Sequence, residues 1–217
     1  MICNENYFEK IDSEDKAYWL GFLYADGCVT QNHDSVILCL SVNDLDHLKM
    51  FRKCIETDYK IGYGNNDKYV RLAIYKKKLA EDLVHKGCIP AKSLILKFPT
   101  EEQIPKELIR HFIRGYFDGD GCIYSKFKKN RNCVYLDTEV NFLGTQEFLQ
   151  CMLKYLPVDG KITERGKDNI FALRIYNKNA ILQLMDFMYK DSNFYLHRKY
   201  VKFIDLKEYM TNKSKIA

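Results

Sequence analysis

The sequence predicts an α+β fold built twice, as two αββαββα halves that each carry an antiparallel sheet. Three observations predict it. Residues 19–27 read WLGFLYADG and residues 113–121 read IRGYFDGDG, so Gly21, Asp26 and Gly27 recur as Gly115, Asp120 and Gly121 at an offset of 94 residues. Segments that alternate apolar and polar side chains follow each copy, the period of a half-buried strand. Further matches, Lys60-Ile61 with Lys161-Ile162, Leu72 with Leu173 and Ile74-Tyr75 with Ile175-Tyr176, continue at an offset of 101. Two long copies suit neither a solenoid nor a propeller. They suit a duplication about a pseudo-two-fold axis, with the doubled helix on that axis.

The elements follow in order. Residues 1–13 read as a short arm, and Ser13 as an N-cap ahead of Glu14 and Asp15. A helix runs through Trp19, Leu20, Leu23 and Tyr24 to Asp26, where Gly27 stops it. Ser35 to Val42 is a strand with Val36, Leu38, Leu40 and Val42 on one face and Ser35, Ile37, Cys39 and Ser41 on the other. Asn43 or Asp44 caps a helix carrying Leu45, Leu48, Phe51 and Ile55. Ile61 to Tyr63 and Tyr69 to Tyr75 form a hairpin that buries Val70, Leu72 and Ile74. A short helix from Lys78 to Lys86 closes at Gly87. In the second half Val134 to Leu143 is a strand, Thr145 caps the next helix, and a last helix carries Ile181, Leu184 and Phe187. The offset grows by seven between the doubled motif and the next strand, which assigns the extra length to a basic loop, Lys126 to Asn132. Cys28 and Cys122 are expected to begin core strands. The division is an N-terminal half (1–97), a linker (98–105) and a C-terminal half (106–217).

Composition bounds the function. With 217 residues, 47% hydrophobic and 29% charged, the chain can bury one large shared core. No apolar run approaches the roughly 18 residues of a membrane span, and the acidic N-terminus is neither a secretory signal nor a transit peptide. The expectation is a cytoplasmic or nucleoid-associated protein. Eight cysteines without a CxxC pair read as free thiols. The net charge of +5 is modest, but the cations cluster at Lys76-Lys77-Lys78, at Lys126 to Arg131 and at Arg198-Lys199. The five histidines lack metal-ligand spacing and read as surface or helix-end residues. No phosphate-binding glycine loop or serine nucleophile elbow occurs.

The doubled motif supports a definite chemistry. Gly21 and Ala25 share one helical face, as do Gly115 and Gly119. Small residues there let two helices touch and end together. Asp26 and Asp120 then meet beside unpaired carbonyls at two negative dipole ends. Such carboxylates repel unless a cation joins them, and an incomplete all-oxygen set suits magnesium or manganese that keeps waters and takes phosphate oxygens.

With these residues, WLGFLYADG and IRGYFDGDG, the chain resembles the single-chain, two-motif LAGLIDADG homing endonucleases. Flanking text such as GCIPAKSLILKFP and YLHRKYVKF extends the resemblance from about Lys16 to Phe203. It implies two sheets forming a saddle over the major groove of double-stranded DNA. It further implies divalent ions held by Asp26, Asp120 and the carbonyls of Ala25 and Gly119, and cleavage of both strands to leave 3′ cohesive ends. It implies one active-site lysine per half, for which the internal match favours Lys92 and Lys199 over Lys97 and Lys202. The copies differ where Tyr24 stands against Asp118, which makes the halves unequal.

The exposed strand faces agree with that role. Ser35, Ser41, Tyr69, Arg71, Tyr75, Tyr135, Asp137, Glu139, Asn141 and Arg174 carry groups that pair with base edges. Lys68, Lys126, Lys128, Lys129, Arg131, Arg165 and Lys167 are placed to meet phosphates. The expected protein is a monomeric, magnesium-dependent, site-specific DNA endonuclease with an asymmetric target. An intron RNA maturase and a DNA-binding regulator without catalysis are the alternatives. The initial Met and the lack of flanking splicing blocks favour a free-standing enzyme over an intein-embedded domain.

Overall fold

A computed structural model describes residues 1–130, 133–166 and 169–214. The first half runs α1 (Glu14–Asp26), β1 (Gly27–Val29), β2 (Val36–Ser41), α2 (Leu45–Cys54), β3 (Ile61–Gly64), β4 (Tyr69–Ile74) and α3 (Lys77–His85). The second runs α4 (Ile109–Asp120), β5 (Cys122–Asn130), β6 (Cys133–Gly144), α5 (Gln146–Leu153), β7 (Lys161–Glu164), β8 (Phe171–Ile175) and α6 (Lys178–Tyr189). A further helix, α7 (His197–Ser214), ends the described chain. Each half holds a four-stranded antiparallel sheet, in the orders β1-β2-β4-β3 and β5-β6-β8-β7. The halves keep one register: Leu72 faces Leu38, and Leu173 faces Phe142. The duplicated αββαββα order is thus the observed fold.

The centre of the molecule is the α1–α4 pair. Eight consecutive residues of α1, Ala17 to Tyr24, are buried. A helix apolar on every side belongs inside a core. Its closeness to α4 depends on glycine. A methyl group on Gly21 would sit 2.0 Å from the Phe112 carbonyl oxygen, and one on Gly115 would sit 1.9 Å from that of Tyr18. The two contacts are related by the internal repeat. Around them Trp19, Phe22, Leu23, Phe112 and Phe117 are almost wholly buried, each a contribution of about 1.5–3 kcal/mol or more by area.

Local rules explain the boundaries. Thr145 accepts from the Phe148 N–H and Asn177 from the Ala180 N–H, capping α5 and α6. Gly87 ends the α3 region at φ +94°. Ser13 does not cap α1 through its side chain; its hydroxyl donates to Asp15 instead. Asp44 likewise leaves α2 uncapped and binds Arg198.

Several expectations are corrected. The first thirteen residues are no free arm: Tyr7, Phe8 and Ile11 are buried, and the Asn4 N–H donates to the Ile55 carbonyl. Lys126 to Asn130 belong to β5 rather than to a loop, because β5 and β6 stay paired out to Asn130 and Cys133. Cys28 and Cys122 are exposed, since the residue after the motif glycine points away from the helices. His47 and His111 are helix-end residues, as expected, in the first turns of α2 and α4, but both are buried rather than at the surface. Cys3, Cys28, Cys39, Cys54, Cys88, Cys122 and Cys151 are free thiols. Among the described residues no helix is long and apolar enough to cross a membrane.

Candidate active site

Helices α1 and α4 stop together. The Gly27 N–H closes on the Leu23 carbonyl, and the Gly121 N–H closes on that of Phe117 at 2.8 Å. Asp26 and Asp120 are the last helical residues and both reach solvent. The helix ends are in contact. A methyl group on Gly119 would lie 2.3 Å from the Ala25 Cβ and 3.4 Å from Asp26 Oδ2, so the Asp26 carboxylate leans over the end of the other helix. Solvent reaches these carboxylates from one side, and protein surrounds them on the rest. That surrounding protein, with Asp120 beside it, raises the Asp26 pKa from 3.8 to about 6 against the pull of Lys199 and Lys92. Partial burial also raises Asp120, and the same two lysines oppose it.

The lysines occupy equivalent places. Lys92 enters from a 3-10 turn after Ala91, whose φ is +51°, and its Nζ donates to the Gly27 carbonyl. Lys199, in the first turn of α7, donates to the carbonyls of Phe117 (2.5 Å), Gly119 (3.1 Å) and Gly121 (2.6 Å). Both are buried, and burial lowers the Lys199 pKa to about 8. Each ammonium therefore neutralises a helix C-terminus that also carries a carboxylate. Lys97 instead lies 3.9 Å from Glu147, and Lys202 is exposed on α7. The donor set is oxygen only. Among the described residues no three His, Cys, Asp or Glu side chains gather as a metal cage. An ion at this place would draw on two carboxylates, helix-end carbonyls and oxygens from outside the chain, a set that fits magnesium or manganese.

Behind the site lies a polar network that sequence reasoning missed. Fully buried Asp118 accepts from the Tyr18 hydroxyl (2.8 Å), the Tyr189 hydroxyl (2.5 Å) and the Leu196 N–H (2.7 Å). Its counterpart Tyr24 donates to the Lys86 carbonyl at 2.5 Å. Fully buried Arg114 donates to the carbonyls of Phe194 (2.7 Å) and Met188 (2.8 Å), to His111 Nδ1 (2.9 Å) and to Glu14 Oε1 (2.8 Å). Burial, then Arg114 itself, lowers the His111 pKa to about 4, which leaves its ring free to accept. An arginine inside a helix that must be buried was the available signal.

Both sheets turn one face to solvent. On the first, Ser41, Lys68, Tyr69, Arg71 and Tyr75 are exposed. Ser35 is a correction: it is 2% exposed, and its hydroxyl donates to Thr30 Oγ1 at 3.2 Å, because the β1–β2 turn folds over it. On the second, Lys126, Lys128, Tyr135 and Arg165 are exposed, while Lys129, also exposed, projects from the opposite side with Phe127 and Leu136. Asp137, Glu139, Asn141 and Arg174 are half-buried and already engaged: Lys128 bridges to Asp137 at 2.6 Å, Asn141 donates to Glu139 at 2.9 Å, and Arg174 lies 3.7 Å from Glu139. Arg131 and Lys167 lie outside the described residues. Cys39 is exposed on the face that alternation assigns it, while Cys28, Cys122 and Tyr124 share these exposed faces and were not anticipated there.

Two sheets flanking a pair of touching, Asp-terminated helices define the architecture of the LAGLIDADG homing endonucleases. The chain superposes with TM-score 0.67 on the I-LtrWI LAGLIDADG homing endonuclease bound to target DNA, at 10% identity over 98% of this chain and 92% of that one. For the meganuclease I-SmaMI bound to uncleaveable DNA the values are 0.68, 12%, 90% and 90%. For I-AabMI bound to uncleaved DNA they are 0.65, 14%, 90% and 91%. The profile of the LAGLIDADG-like domain matches residues 107–186. Residues 107–186 form a LAGLIDADG-like domain, and the whole chain has the single-chain, two-motif fold of LAGLIDADG homing endonucleases. A curated relative is the DNA-directed RNA polymerase subunit Rpo1C of Methanocaldococcus jannaschii, 25% identical over 198 residues, or 85% of this chain. The chain spans about a fifth of that subunit's length.

Proposed function

We propose that this protein is a site-specific endonuclease of double-stranded DNA that cuts both strands of a long, asymmetric target and leaves 3′ cohesive ends, as a homing enzyme does. The observation that carries the reading is the contact of two helix ends that each terminate in a solvent-accessible aspartate, between two sheets with exposed polar faces. One chain supplies both halves, so it acts as a monomer. Residues 1–97 and 106–217 each address one half-site, joined through 98–105.

In this reading Asp26 and Asp120, with the carbonyls of Ala25 and Gly119, hold divalent ions, magnesium or manganese. Bound there, the metal neutralises charge on the scissile phosphate and activates water. The chain's own residues do the rest. The Gly21 and Gly115 contacts keep the carboxylates beside each other. Lys92 and Lys199 hold the motif carbonyls in place and bring positive charge to where negative charge develops on the phosphate. Arg71, Asn141 and Arg174 meet base edges, for which Asn141 and Arg174 exchange their present partner Glu139. Lys68, Lys126, Lys128 and Arg165 meet phosphates and set affinity. The halves carry different exposed side chains, so the target is not a palindrome.

A cleavage selection tests this. Purified protein is incubated with a large duplex library in magnesium or in EDTA, and the new ends are sequenced. Ends that depend on magnesium, share one long motif and carry 3′ overhangs are expected. Enrichment of bound duplex without new ends would instead make the protein a regulator of this fold that does not cut.

A further inference from the structure

The two sheets differ at the hairpin that follows the doubled motif. Strands β1 and β2 hold three residue pairs; β5 and β6 hold nine. Between the equivalent pairs Cys28–Ile37 and Cys122–Asn141 the second hairpin is ten residues longer, five per arm, which at about 3.3 Å per residue reaches roughly 16 Å farther from the helix ends. Antiparallel two-stranded ribbons fit the major groove. With a base every 3.4 Å along a strand, that reach corresponds to up to about five base pairs.

Charge differs in the same sense. The turn of the first hairpin, residues 30–35, contains no lysine or arginine and exposes Asp34. It is closed on itself, with Thr30 Oγ1 donating to Asp34 at 2.7 Å and the Thr30 N–H donating to the Ser35 carbonyl at 3.2 Å. The far part of β5 exposes Lys126, Lys128 and Lys129. Lys126 and Lys128 share one face of the ribbon; Lys126 forms no ion pair among the described residues, and Lys128 holds Asp137 in an exposed pair that costs little to exchange for a phosphate.

The long hairpin is also supported. Helix α7 has no counterpart in the first half and packs against β5, with Tyr209 edge-on to Phe127 at 5.1 Å. Between them is a recess of about 390 Å3 lined by Ile123, Leu136 and Leu206 among others. An extended ribbon fastened to a helix is held ready for a groove and does not have to order on binding.

We propose that the β5–β6 hairpin makes the DNA interface lopsided: the C-terminal half contacts a flank up to about five base pairs longer than the N-terminal half does, and the cut lies off the centre of the protected duplex. This rests on the nuclease reading above. Lys126 and Lys128, which share the Tyr135 face of the ribbon, set affinity on the long flank, and residues 30–35 limit the short one.

The test is a hydroxyl-radical footprint on the duplex returned by the cleavage selection, bound in EDTA, for the protein and for the double variant Lys126→Ser/Lys128→Ser. Expected is protection that extends farther on one side of the cut. The variant, with an unchanged circular dichroism spectrum, loses only the outer positions of that side. It also lowers the slope of log affinity against log salt by about two, near 0.9 for each phosphate it no longer neutralises. Equal flanks, or a loss spread over both, would overturn the proposal and leave the nuclease reading standing. A selection that returns no bound or cut duplex would overturn both.

Discussion

Asp26 illustrates how the site trades stability for charge. Its pKa of about 6 lies above the ordinary 3.8, so between these values the folded protein binds more protons than the unfolded one. Its contribution therefore falls as pH rises from about 4 to 6, and above 6 the ionised carboxylate opposes folding. Asp26→Asn is expected to melt higher than the parent at pH 7 in EDTA, with the difference vanishing near pH 4. Magnesium is expected to raise the melting temperature of the parent at pH 7 and much less that of the variant, which no longer cuts both strands. Thermal melts in the two buffers check this; equal melting temperatures in EDTA would remove the carboxylate repulsion. Asp26 and Asp120 were legible in the sequence because an Asp-Gly pair recurred in register. Lys92 and Lys199 came from a loose internal match, and their common grip on Gly27 and Gly121 explains why that match exists. Ser35 was misplaced because alternation says which face a residue is on, and not that a turn folds over it.

At the scale of the element, the α1–α4 contact is set by backbone approaching backbone. A methyl group at position 115 meets the Tyr18 carbonyl oxygen at 1.9 Å and the Phe22 nitrogen at 2.9 Å, neither of which can rotate away. Gly115→Ala is expected to force the helices apart, to lower stability by about 2–3 kcal/mol, and to abolish cleavage by separating the two aspartates. Urea unfolding with an unchanged slope, alongside a cleavage assay, checks both parts. The strands were readable from period-two alternation, and β2, β4 and β6 bury the residues that period selects. The β5 extension was not, because Lys126, Lys128 and Lys129 resemble a solvated loop until β6 supplies their ladder partners.

The whole molecule is joined by buried charge as well as by apolar packing. Arg114 of α4 binds Glu14 of α1, and the same Glu14 accepts from the N–H of Asn193 at 2.8 Å and its side chain at 2.9 Å. Arg198 of α7 reaches back to Asp44 of the first half at 3.1 Å. Arg114→Met strands Glu14 and two backbone carbonyls. It is expected to cost about 3–5 kcal/mol, several times the change from Lys49→Met, which removes a cation whose partner Asp46 also lies at the surface. Chemical denaturation of the two variants measures the ratio, and equal costs would contradict the role given to Arg114.

By itself the sequence determined the duplication, the order of elements, the helix that lies at the centre and the two carboxylates at its ends. These follow from local periodicity and from a repeat that needs no partner to be seen. Only the tertiary structure decided the Asp118 and Arg114 networks, the burial of His47 and His111, the lysine grip on the helix ends and the unequal hairpins. Each of these joins residues far apart in the chain, and a pattern of spacing carries no information about which distant carbonyl a buried cation will meet.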